Sequence, residues 1–136
     1  MQYIGLLKQK EKNREALMVG IITPNYIKIR QGDNFNILLQ FKDEDKFIDI
    51  SNSSLKMYVK NKFDNRTVLI KQGIIDDAVN GKSHISIVPE DTLRLKITDE
   101  YITDIQITFA NGETHTVYPQ NISQVASFII SQHVTE

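Results

Sequence analysis

Ile27-Lys28-Ile29-Arg30-Gln31-Gly32-Asp33-Asn34-Phe35-Asn36-Ile37-Leu38-Leu39-Gln40-Phe41 is the stretch that decides the fold class. Its apolar residues return at every second position, the period of a strand with one buried face, and not at the third and fourth positions that a helix requires. Ile27 and Ile29 alternate with Lys28 and Arg30; Phe35, Ile37, Leu39 and Phe41 alternate with Asn34, Asn36 and Gln40. Between them Gln31-Gly32-Asp33 supplies turn residues, so the stretch reads strand, turn, strand.

The same period continues outward. Leu55, Met57 and Val59 alternate with Lys56, Tyr58 and Lys60, and shorter runs follow at Val68 to Ile70 and at Ile85 to Val88. Ile105, Ile107 and Phe109 lead into Asn111-Gly112, then Thr114 and Thr116, and a last run from Ala126 to Val134 can close a sheet. Turn chemistry separates the runs at Asp43 to Lys46, Asn61 to Asn65, Asn80-Gly81 and Asn111-Gly112, where Asn-Gly suits the positive φ values of a tight hairpin. Pro89-Glu90-Asp91-Thr92-Leu93 predicts one helical turn crossing between sheets, with proline early in it. Short strands at this spacing without long helices predict an all-β, antiparallel sandwich or barrel.

Met1 to Gly20 departs from the pattern. It is rich in helix formers but carries no continuous apolar stripe, which predicts an N-terminal arm or a short helix. Ile4, Leu6 and Leu7 precede the charged run Lys8 to Glu15, the reverse of a signal peptide, and no apolar run approaches the roughly 20 residues of a membrane span. The boundaries expected are an arm at 1–22 and a sandwich domain at 23–136.

Composition narrows the function. A chain of 136 residues is enough for one domain with its own core. Sixteen Lys plus Arg against 17 Asp plus Glu leave a net charge of −1, too weak a field to hold nucleic acid or an anionic membrane. The absence of cysteine removes disulfides, thiolate metal sites and cysteine nucleophiles.

Each candidate for chemistry has a plainer reading. Asp43, Glu44, Asp45 and Asp49 could chelate calcium, but the spacing lacks the glycine and terminal glutamate of the familiar loop, and a solvated hairpin tip explains them. His84, His115 and His133 have no paired ligand spacing. Glu90-Asp91 and Asp99-Glu100 read as turn and cap residues. No glycine-flanked serine or phosphate-cradling loop occurs. Asn-x-Ser/Thr triplets at Asn52, Asn65 and Asn121 read as Asn-rich turns. Tyr101 is either a corner tyrosine tying a loop to the sheet or a plain packed aromatic. The residues therefore predict no catalytic site, no metal and no cofactor.

Taken in order, Arg30-Gln31-Gly32-Asp33 with the strand through Phe41, Ile48-Asp49-Ile50, Leu55 to Val59, Ile85 to Thr92, Tyr101, Asp104 to Thr108, Asn111-Gly112, Thr116, Phe128-Ile129-Ile130 and Val134-Thr135 form a pattern. It resembles the immunoglobulin-like domain of bacteriophage virion proteins, notably the N-terminal domain of baseplate upper proteins and similar tail or fibre-attachment subunits, over Pro24 to Thr135. The resemblance implies an immunoglobulin-like β-sandwich in a virion, docked to other virion proteins as a homo-oligomer or symmetric assembly, without catalytic residues. Those proteins continue into a long extension, whereas this chain ends just past the closing strand, which leads to the expectation of a stand-alone adaptor.

Ile4, Leu6 and Leu7 are the partner-binding candidates, able to fill a partner groove or add a strand to a partner sheet. The competing expectations are a head or neck decoration protein and a carbohydrate- or receptor-binding module. The second is weakened by the absence of Trp and the isolation of Tyr58 and Tyr118.

Overall fold

The computed structural model describes residues 20–120 and 123–132. In chain order the elements are β1 (Gly20–Ile22), β2 (Tyr26–Arg30), β3 (Phe35–Gln40), β4 (Lys42–Asp43), β5 (Lys46–Phe47), β6 (Ser54–Asn61), β7 (Thr67–Gln72), β8 (Ile74–Asp77), β9 (Lys82–Ile87), α1 (Pro89–Leu93), β10 (Tyr101–Thr108), β11 (Thr114–Tyr118) and β12 (Ala126–Ser131). The larger sheet runs β1-β2-β12-β10-β6-β7, with β11 also on β10; the smaller runs β3-β9-β8; β4 and β5 form a separate hairpin. Every pair is antiparallel except β2 with β12, which is parallel, so the expectation of a wholly antiparallel sandwich is corrected at one seam.

This order is that of an immunoglobulin sandwich. β3, β9 and β8 occupy the places of strands B, E and D, and β12, β10, β6 and β7 those of G, F, C and C′. The fold is immunoglobulin-like.

Alternation builds it. Ile27 and Ile29, Leu55, Met57 and Val59, and Ile105 and Ile107 point inward from the larger sheet. Phe35, Ile37, Leu39, Ile85 and Ile87 meet them from the smaller, in one buried cluster. Each such side chain removed from water contributes about 1.5–3 kcal/mol. The turn at Gln31-Gly32-Asp33 makes no hairpin: it carries the chain from one sheet to the other.

The chain returns to the larger sheet by way of the β4–β5 hairpin and leaves it again at Gly73, where β7 continues almost directly as β8. A Cβ there would lie 2.9 Å from Leu55 Cβ and 3.3 Å from the His84 carbonyl oxygen, so the close approach that lets one strand serve two sheets needs glycine.

The last passage is the helical turn at Pro89–Leu93, where the sequence places it. Its Thr92 Oγ1 accepts the Gly32 N–H at 2.8 Å, and the Gln31 amide donates to the carbonyls of Thr92 (3.1 Å) and Leu95 (3.0 Å). Asp91 accepts the Val88 N–H at 2.8 Å and pairs with Lys71 at 2.9 Å, fastening the crossover to β7.

Tyr101 is the corner tyrosine: it is buried and its hydroxyl accepts the Lys96 N–H at 3.1 Å. Two residues on, where antibody domains place a disulfide cysteine, stands Thr103, buried, its hydroxyl donating to the Tyr58 carbonyl at 2.7 Å.

The Asn111-Gly112 turn differs from its expectation. The left-handed residue is Gly112, at φ 92°, and not Asn111; Gly112 N–H reaches Phe109 O, and Phe109 N–H reaches Glu113 O, each at 2.8 Å. This is a turn closed by a left-handed glycine, and not the two-residue form with two positive φ values.

At the N-terminal side, Gly20–Ile22 belongs to the sheet, pairing with β2 from Gly20↔Ile29 to Ile22↔Ile27. The rest of the expected arm, 1–19, lies outside the described residues, as do Asn121, His133 and Val134-Thr135.

Candidate functional site

The outward residues of the larger sheet form a continuous face. Register sets Asp104 of β10 opposite Tyr58 of β6, and Tyr58 opposite Ile70 of β7; one step along, Ile102 lies between Lys60 of β6 and Ser127 of β12. Water-facing sheet surfaces are normally polar, yet here Ile70 and Val125 are 54% and 66% exposed, Ile129 is also exposed, and Ile102 and Tyr58 are half-buried.

Within that face is a groove of about 350 Å³. Tyr58, Ile102, Pro119 and Val125 supply its apolar surface. Lys60, Asp104, Thr116, Gln124 and Asn65 supply donors and acceptors of both kinds. Pro119 follows a cis peptide bond from Tyr118, in the connection between β11 and β12.

Asp104 is the chemically unusual member. Its Oδ1 is buried and accepts no hydrogen bond. Burial pushes its carboxyl above the ordinary aspartate range, and the Lys60 ammonium offsets part of that. A carboxylate short of donors in a concave site is a candidate for recognition.

Of the residues singled out from sequence, Tyr58 lies in this groove. Tyr118 does not offer an aromatic face: its side chain is buried, its hydroxyl donates to the Thr23 carbonyl at 2.8 Å, and burial pushes the phenol far above its usual range. The reason is a bulge. Ile105 pairs with Tyr118 and Gln106 with Thr116, leaving Val117 as the extra residue, so Val117 and Tyr118 both turn inward.

The acidic cluster is divided. Asp43, Glu44 and Asp45 sit on the β4–β5 hairpin, while Asp49 caps its own turn by accepting from the Ser51 hydroxyl and the Ser51 N–H, which together hold its carboxyl below the usual value. His84 pairs with Asp76 at 2.8 Å, and His115 lies 3.3 Å from Glu113 and edge-on to Phe109. Among the described residues no group of three or more His, Cys, Asp and Glu is placed to hold a metal ion, and no helix is long and apolar enough to cross a membrane.

Asp91 is a cap, as read from sequence, and Glu100 pairs with Lys62 at 3.4 Å. Asp99 borders a second hollow at the lower end, with Arg66, Arg94 and Lys96, where Arg94 donates to the Val68 carbonyl at 3.0 Å. The partner candidates Ile4, Leu6 and Leu7 lie outside the described residues.

No protein-family model matches the chain, and no curated protein matches it. Among solved structures it is similar to murine CRIg, at 11% sequence identity over 81% of this chain and 95% of that one, with a TM-score of 0.39. The immunoglobulin-like assignment stands on the strand order and registers described above.

Proposed function

We propose that this chain is a non-enzymatic structural protein of a bacteriophage virion, an adaptor of tail, baseplate or fibre attachment that docks one subunit to another. Its partners are other virion proteins and further copies of itself; the reading calls for no cofactor, nucleic acid or membrane.

The observation that supports it most is the way the motifs behind the phage resemblance that lie among the described residues fall, in order, on one sandwich. Arg30-Gln31-Gly32-Asp33 is the first passage between sheets, held by Thr92. Ile50 N–H bonds the Ala78 carbonyl at 2.9 Å beneath the β4–β5 hairpin. Pro89 to Thr92 is the crossover turn and Tyr101 the corner.

Shape adds a second support. Among the described residues β1 stands at the margin of the larger sheet, beside β2; it directly follows in sequence the segment carrying Ile4, Leu6 and Leu7, and a sheet edge is where an appended strand or arm can reach a neighbour without disturbing the core. Repetition around a symmetric particle multiplies modest contacts of this kind.

The test is particle assembly with the full-length chain carrying Ile4→Ser, Leu6→Ser and Leu7→Ser. The triple variant, folded by circular dichroism, is expected to be lost from sedimented particles. Incorporation at the unsubstituted level would remove the arm from the account.

A further inference from the structure

We infer that the groove on the outer face of the larger sheet is a saccharide-binding subsite, with the Tyr58 ring stacking on the C–H face of a pyranose and Asp104 accepting hydrogen bonds from its hydroxyls. This goes beyond the adaptor reading and does not depend on it.

Three features of the groove converge on that ligand class. The first is size. About 350 Å³ falls at the lower end of small-ligand sites, which suits one or two sugar rings.

The second is the unmet acceptor. Asp104 Oδ1 is buried with no hydrogen bond, which leaves the carboxylate short of donors from within the fold, and Asp104 lines the groove, where its other oxygen can accept from a ligand hydroxyl. A pyranose hydroxyl presents such a donor. Lys60 lowers the cost of the charge without contacting it closely enough to form an ion pair within 4.0 Å.

The third is the mixture of surfaces. Tyr58 and Ile102 form an apolar floor, while Thr116, Gln124 and Asn65 around it can each donate and accept. A ligand that matches has an apolar flat face and a rim of hydroxyls, which describes a sugar. Aromatic rings combine apolar area with a negative π-face that attracts the polarised C–H groups of such a ring.

The same lining argues against other small ligands. Among the described residues of the lining the one cation, Lys60, is balanced by Asp104, so they carry no excess positive charge to hold a phosphate. A single carboxylate is too few oxygen ligands for a calcium ion.

The test uses the ¹⁵N-labelled full-length protein titrated with glucose, galactose, N-acetylglucosamine and their β-linked disaccharides, read by amide chemical shifts. The expected result is saturable shifts on the strands around Tyr58, Ile102, Asp104 and Thr116 for at least one sugar, with a dissociation constant of ~1 mM, in the range of a weak small-ligand site. Asp104→Asn and Tyr58→Ala are each expected to weaken it by about tenfold or more, while Lys28→Ala, on the same face but outside the groove, leaves it unchanged.

Absence of saturable shifts with every sugar would overturn the inference. So would shifts at these residues that follow protein concentration or an added virion subunit and ignore sugar, because the groove would then be a protein interface. Neither result bears on whether Ile4, Leu6 and Leu7 carry the chain into particles, so the two readings fail separately.

Discussion

Along β10 two faces of one strand obey different rules. Tyr101, Thr103, Ile105 and Ile107 point inward and are buried, and the polar atoms among them are matched: the Tyr101 hydroxyl by Lys96 N–H and the Thr103 hydroxyl by the Tyr58 carbonyl. Ile102, Asp104, Gln106 and Thr108 point outward and are all half-buried, and at their centre Asp104 keeps a buried oxygen without a donor. On β10 the inner polar atoms are all matched, and the outer face keeps one that is not. In a marginally stable domain an unmet buried acceptor is retained at a cost, and the carboxylate that carries this one borders the groove.

If the contrast holds, inner substitutions cost stability and leave the groove's chemistry intact, whereas outer substitutions do the reverse. The largest effect is expected at Ile105, fully buried between the sheets. Ile105→Ala removes packed methylenes and leaves a cavity, a loss of about 2–5 kcal/mol in urea unfolding. A loss below 0.5 kcal/mol, on the order of a surface change, would mean that the two sheets do not close on this residue.

Next is Gly73→Ala, whose new methyl group meets Leu55 Cβ at 2.9 Å where β7 passes into β8. Overpacking at this point is expected to lower stability by about 1–3 kcal/mol. Unchanged stability would show that the strand does not switch sheets there.

The smallest effect has the opposite sign. The Asp104 carboxyl is raised by burial, so the folded protein binds this proton more tightly than the unfolded chain does. Between the unfolded and the folded pKa, stability therefore falls as pH rises, and at neutral pH the ionised group is a liability. Asp104→Asn is expected to raise the melting temperature slightly at pH 7 and to flatten the decline in stability across that window. A lower melting temperature for the variant at pH 7 would show that Asp104 is held by donors within the fold, and would dissolve the contrast between the faces.

Much of the inner face is legible in the sequence because alternation is local: Ile27 and Ile29, Phe35 to Phe41 and Leu55 to Val59 announce both strand and buried side. The crossover at Pro89 is legible for the same reason, its chemistry lying within a few residues, whereas Tyr101 stays open between corner and packed aromatic until its hydroxyl is seen to accept the Lys96 N–H. What escapes is non-local. That β2 and β3 part into different sheets, and that β2 pairs in parallel with β12, is decided by distant partners, β9 for β3 and, about a hundred positions away, β12 for β2.

β8 escapes because Ile74 to Asp77 is short, mostly exposed and without clean alternation. Tyr118 looks outward until the bulge at Val117 turns it in. Asp104 is invisible for a different reason: an acidic residue at an outward strand position is what any solvated sheet carries, and only the half-burial of Ile102 and Tyr58 around it makes it unusual.

The central functional claim is membership of a virion, and its most direct measurement is the copy number of this chain in purified particles by quantitative mass spectrometry. The account predicts a fixed stoichiometry with a neighbouring structural subunit, unchanged through successive density gradients. Recovery of the chain only in the particle-free fraction of the lysate would contradict it.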